Sequence, residues 1–174
     1  MGSGKVERTE KFEFMKKNNI KRGGFTLIEI LVVIGIIAVL AAIVLVAINP
    51  ARQFAQARNT QRTSNVETIL NGLGQYLADN KGVLPAAVSG LTVDTPTEIK
   101  KTGGVDICAI LVTTYMTSLP SDPTAANGGA AISDCASAYE TDYTVARDAN
   151  NRLTVSAPNA TAASELSQTI SITR

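Results

Sequence analysis

The chain has 174 residues, room for one domain plus an extension, and its formal net charge of +1 gives no overall pull toward nucleic acid. It contains no histidine, which removes the commonest general base and the commonest transition-metal ligand and argues against a hydrolase or a zinc centre. The charge is uneven: residues 1–24 hold seven basic side chains against three glutamates, while the remainder holds nine against twelve acids, so a basic leader precedes a mildly acidic body.

From Ile30 to Ile48 run 19 residues with no charge and no strongly polar side chain. As a helix they span about 28 Å at roughly 1.5 Å per residue, close to the thickness of a bilayer's hydrocarbon core at about 30 Å. The run is apolar on every face, whereas a core helix of a soluble protein normally keeps a polar one. Lys16, Lys17, Lys21 and Arg22 lie just before it, an arrangement that keeps the N-terminus cytoplasmic and places the rest of the chain outside. A secretory signal peptide has a shorter apolar part and a small-residue cleavage site after it. Here Ala41-Ala42 and Val46-Ala47-Ile48 offer only weak versions of such a site, and the better processing point precedes the run, at Gly23-Gly24. One acid, Glu29, stands at the start of the span, where a carboxylate is costly. Taken alone it reads as an interfacial side chain favouring the helix dipole.

The segment "KRGGFTLIEILVVIGIIAVLAAI", from Lys21 to Ile43, resembles the start of a type IV prepilin or pseudopilin: a short basic leader ending in glycine, then Phe-Thr-Leu-Ile-Glu and an apolar helix. The resemblance implies cleavage by a prepilin peptidase between Gly24 and Phe25, N-methylation of Phe25, and a mature chain whose fifth residue is Glu29. It implies storage in the inner membrane with the leader in the cytoplasm and the head outside. Identical or related subunits and the inner-membrane assembly machinery are the expected partners, and the product is an extracellular filament. In such a filament a buried carboxylate needs a cation, and the resemblance suggests the amino terminus of a neighbouring Phe25, which would set axial register. The leader is long for the family. Met15 as the true start would leave a ten-residue leader, and Pro50 sits later than the usual helix proline.

Past the span, Asn49-Pro50 either caps and opens a new helix or kinks one long helix. The run of helix formers from Ala51 to Ala78 favours a continuous but bent helix, with Pro50 as the bend. Val66, Ile69, Leu70, Leu73 and Leu77 form an apolar stripe at helical spacing. Arg52, Arg58 and Arg62, interleaved with glutamines, read as a solvated face, with subunit contact or nucleic-acid binding as alternatives. Lys81-Gly82 after Asn80 is an end signal. Thr26 to Asn80 would extend about 82 Å as one helix, too long for a compact domain of this size.

The expected fold class is therefore α+β and type IV pilin-like: a long N-terminal helix packed against a small C-terminal antiparallel sheet of about three strands. The expected division is a leader over 1–24, a membrane or filament-core helix over 25–48, a stalk helix over 49–80 and a head over 81–174. Within the head, 81–140 reads as a loop region, with Ile107–Val112 a helical turn or strand and "LPSDPTAANGG" (Leu119–Gly129) as turn chemistry. Tyr143, Val145 and Arg147, then "DANN", then Leu153, Val155 and Ala157 read as a β-hairpin, with Thr169–Thr173 as a last strand. Cys108 and Cys135 can pair if the head is exported, or remain two free buried thiols. Two cysteines without histidine are too few for structural zinc, so no metal or cofactor is expected. Calcium on Asp122, Asp134, Asp142 and Asp148 is the alternative to their being solvated turn acids, since their spacing matches no loop motif.

Functionally, the resemblance implies a non-enzymatic structural subunit, major or minor, of a type IV pilus serving adhesion, motility or DNA uptake. A pseudopilin of a type II secretion system is the alternative. A membrane-anchored extracellular binding protein or enzyme is the lower one, lacking any Ser/Cys–His or paired-acid constellation. Nucleic acid is not expected as a primary partner.

Overall fold

A computed structural model describes residues 24–174. The basic leader, Met15 as an alternative start and Gly23 lie outside the described residues. Contacts divide the chain into two units that meet between Val44 and Leu45.

The first helix, α1 (Leu27–Ile48), contains the apolar run and buries none of its residues. Among the described residues it is the one helix long and apolar enough to cross a membrane. It stops at Asn49, whose backbone is left-handed (φ 46°) and whose side-chain oxygen accepts from the Arg52 amide at 3.3 Å. The second helix, α2 (Pro50–Asp79), begins with proline at its first position, where the missing N–H costs nothing. The expectation of one continuous, bent helix is corrected: a left-handed residue breaks the helix before Pro50, and asparagine tolerates that conformation better than most residues. The predicted end holds, because the Asn80 amide bonds Tyr76 O and left-handed Lys81 and Gly82 follow.

The antiparallel sheet, expected with about three strands, has four, in the order β1 (Thr97–Lys100), β2 (Glu140–Arg147), β3 (Leu153–Ser156) and β4 (Ser171–Thr173), with every neighbouring pair antiparallel. The hairpin of β2 and β3 falls where the alternation places it. The Asp148 carboxylate closes the turn by accepting from the amides of Asn150 and Arg152, each at 2.8 Å. The added strand, β1, lies in the stretch read as loop. Its sequence Thr-Glu-Ile-Lys has a single apolar residue, Ile99, which is fully buried. Two short helices, α3 (Ala86–Ser89) and α4 (Cys108–Leu111), complete the head.

The apolar stripe of α2 meets the sheet as expected. Val66, Ile69, Leu70 and Leu73 share one core with Ile99, Ile107, Leu111, Tyr143, Val145 and Val155, and Leu77 packs at its margin. Burying each such side chain contributes on the order of 1.5–3 kcal/mol. A Cβ on Gly72 would crowd only the flexible end of Met116, with Leu111 of α4 at ordinary contact distance.

Candidate processing and assembly site

Gly24, Phe25 and Thr26 precede α1, and Phe25 is 84% exposed. Among the described residues, a Cβ on Gly24 would meet no heavy atom within 4 Å. Thr26 and Glu29 form a reciprocal capping box. The Thr26 amide and hydroxyl donate to Glu29 Oε2 at 2.7 and 2.8 Å, and Thr26 Oγ1 accepts from the Glu29 amide at 3.2 Å. Two otherwise orphaned amides at the helix start are satisfied in this way. The sequence reading gave Glu29 an intermolecular role and passed over Thr26, although threonine three residues before glutamate is the capping-box signature.

The stalk arginines separate. Arg52 is exposed and Arg58 half-buried, but Arg62 is fully buried, which corrects its assignment to a solvated face. Arg62 donates side-on to Asp122, through Nε at 2.7 Å and Nη2 at 2.9 Å, and through Nη1 to Glu165 at 2.7 Å. Arg58 Nη2 lies 2.6 Å from the other oxygen of Glu165. Two cations and two anions thus close one cluster. The hydrogen bond from Arg58, aided by Arg62, holds the Glu165 carboxyl below its ordinary pKa against its burial. Burial pushes Asp122 up, but hydrogen bonds from Arg62 and Thr124 outweigh it and hold that carboxyl low as well. Glu165 sits in an alanine-rich stretch with no pattern around it, so the sequence offered no signal for this contact.

Cys108 and Cys135 form a disulfide with Cα atoms 5.4 Å apart. The four aspartates weighed for calcium do not converge. Asp122 is bound to Arg62, Asp134 accepts from the Ala136 amide and Ser137, Asp142 accepts from Asn159, and Asp148 bonds Arg152. Asp122 is also buried rather than solvated. A different set of carboxylates, Glu98, Glu140 and Asp142, has oxygens within 4.8 Å of one another, and Lys100 bridges to Glu98 at 2.7 Å. That set could hold a cation.

Residues 19–45 match the family model described as the prokaryotic N-terminal methylation motif. No curated protein and no solved structure matches the chain. The matched stretch takes in Gly24, Phe25 and Glu29 and most of α1, and by it the chain carries the N-terminal signature of type IV pilins and pseudopilins.

Proposed function

We propose that the protein is a structural subunit of a type IV pilus, made as a prepilin and cut between Gly24 and Phe25 by a prepilin peptidase. Phe25 is then N-methylated, and α1 holds the subunit in the inner membrane until it assembles with identical or related subunits into a surface filament. The observation that carries this reading is the methylation motif continuing into a helix with no buried residue. Such a helix needs lipid or other apolar helices around it, because water would bear the full cost of its exposed surface.

Glu29 is the proposed assembly residue. In a single chain its carboxylate is capped by Thr26. In a filament core it would gain the new amino terminus of a neighbouring Phe25, a partner that exists only after cleavage. Burying an ion pair in a fixed geometry penalises every other axial register.

The test is mass spectrometry of the main subunit in purified surface filaments seen by electron microscopy. A mature N-terminus at methylated Phe25 is expected, and another N-terminus overturns the reading. Glu29→Ala should insert in the membrane normally and yield fewer filaments, and Gly24→Leu should remain at precursor mass. A short, calcium-dependent assembly in place of long filaments would instead assign the chain to a secretion pseudopilus.

A further inference from the structure

The two halves of α2 are held to the head by different forces. From Val66 onward the buried residues are apolar apart from Gly72, and they belong to the common core. Before Val66 the buried residues are Ala55, Asn59 and Arg62, and Ala55 lies outside that core. What the first half meets is the segment 158–169, a loop of two short 3-10 turns, Pro158–Thr161 and Ala163–Glu165. Arg58 and Arg62 bond the Glu165 carboxylate, and Asn59 Nδ2 donates to Glu165 O at 2.7 Å and to Gln168 Oε1 at 3.1 Å. Asp122 and Thr124 close the far side of Arg62.

This loop leaves and rejoins the sheet at one place, where the Ala157 amide donates to Ile170 O at 2.9 Å. Its ends therefore stay together whatever its middle does. Ala160 is the single residue of 158–169 in the apolar core. Leu166 and Ser167 are consecutive non-glycine residues with left-handed backbones, φ 67° and 49°, which the closed loop must hold in place. A buried ion cluster is a poor source of net stability, because desolvation offsets most of the attraction. An attachment made of such a cluster, with strain behind it and little apolar area beneath it, opens at lower cost than a core.

We infer that the loop 158–169 is a strap, clasped onto the first half of α2 by Arg58, Arg62, Asp122 and Glu165. The strap and residues 51–63 release together while Val66–Leu73 stays packed. In the closed state Arg58 and Arg62 are paired with carboxylates, and the open state presents both without them.

Hydrogen exchange of the full chain in detergent micelles, read by mass spectrometry, tests this. Amides of 52–63 and of 158–168 should exchange at a common rate, about tenfold or more faster than those of Val66–Leu73. Glu165→Gln should accelerate both segments together by about tenfold, and the two should keep a common rate faster than that of Val66–Leu73. Arg58→Gln, at a half-exposed position, gives a milder version of the same paired effect should Glu165→Gln fail to fold. Acceleration of one segment alone, no acceleration in either, or a wild-type core that exchanges as fast as the two segments overturns the inference.

Discussion

Arg62 and Asp122 meet side-on across 60 positions of sequence, Nε to Oδ2 and Nη2 to Oδ1, with neither side chain exposed. A pair of this kind is asymmetric under mutation. Removing one member strands the other charge in a place without water, at about 3–5 kcal/mol, although the intact pair adds little net stability. Asp122→Ala and Arg62→Ala should each lower the unfolding free energy of the full chain in detergent, read from urea denaturation, by that amount. The double variant Arg62→Ala with Asp122→Ala should cost less than the two single losses summed. Fully additive losses in the double-mutant cycle would show that the two side chains act independently.

The same cluster makes the head acid-labile with a definite sign. Glu165 and Asp122 have ordinary values of 4.5 and 3.8, and both are held lower in the folded chain. As pH falls the unfolded chain takes up protons first, so stability is fully present above the ordinary carboxylate values and drains away as pH drops through the folded ones. The unfolding midpoint should be flat from about pH 7 to 5 and decline below about pH 4.5. Glu165→Gln should start lower and show a shallower acid limb. An unchanged limb in that variant would place the acid sensitivity elsewhere.

Periodicity and turn chemistry carried the parts of the fold where many residues repeat one signal. The α1 run, the Val66–Leu77 stripe and the hairpin around "DANN" are visible because burial imposes a period on each. β1 was hidden because a four-residue strand with one apolar side chain has no period to show. It is a strand by virtue of pairing with β2, which is a tertiary fact. Arg62 was misread for a related reason. Helical spacing puts it near the apolar stripe, but an arginine defaults to solvent unless its partners are known, and those are 60 and 103 positions away. At the processing site Glu29 stood out for its rarity in an apolar run, while its capping partner Thr26 was ordinary enough to pass over.

The disulfide offers a test of how the middle of the head is held. Cys108 opens α4 inside the core, and Cys135 lies in an irregular stretch whose carbonyl also accepts from Lys101 Nζ at 2.9 Å. With a separation of 27 residues, the bridge restricts the unfolded chain enough to contribute about 3–4 kcal/mol. Reduction, or Cys108→Ala with Cys135→Ala, should lower stability by that order, with the largest gain in exchange over residues 133–138. Retention of the oxidised chain's unfolding midpoint after complete reduction would show that the bridge is incidental.

Thr26 and Glu29 separate local from intermolecular effects. Thr26→Val keeps the shape of the side chain but loses the hydroxyl that bonds Glu29 both ways, which should weaken the first turn of α1 by about 0.5–2 kcal/mol. Faster amide exchange at residues 27–30 in micelles would report it, and Thr26→Ser should restore the wild-type rate. If Glu29 acts only as a cap, Thr26→Val and Glu29→Ala should reduce filament yield equally. A larger loss in Glu29→Ala is the outcome expected from a second, intermolecular role.

The break between α1 and α2 rests on Asn49 and Pro50 together. Proline at the first position of a helix forfeits no bond that a helix would make there. Asn49 does two things: it occupies a left-handed backbone and lends its side-chain oxygen to the Arg52 amide. Asn49→Gly keeps the conformation without the cap and should change helix stability by only a few tenths of a kcal/mol. Asn49→Ala loses the cap and must either strain, at about 1–2 kcal/mol, or leave the left-handed region. With Pro50 still in place it cannot relax into an unbroken helix, because the proline ring collides with the carbonyl four residues back. Asn49→Ala with Pro50→Ala removes both obstacles and should join the helices. Backbone chemical shifts at residue 49 in micelles should then change from left-handed to helical values, while Asn49→Ala alone should leave the break in place. A helical residue 49 in the single variant would move responsibility for the break wholly to the asparagine.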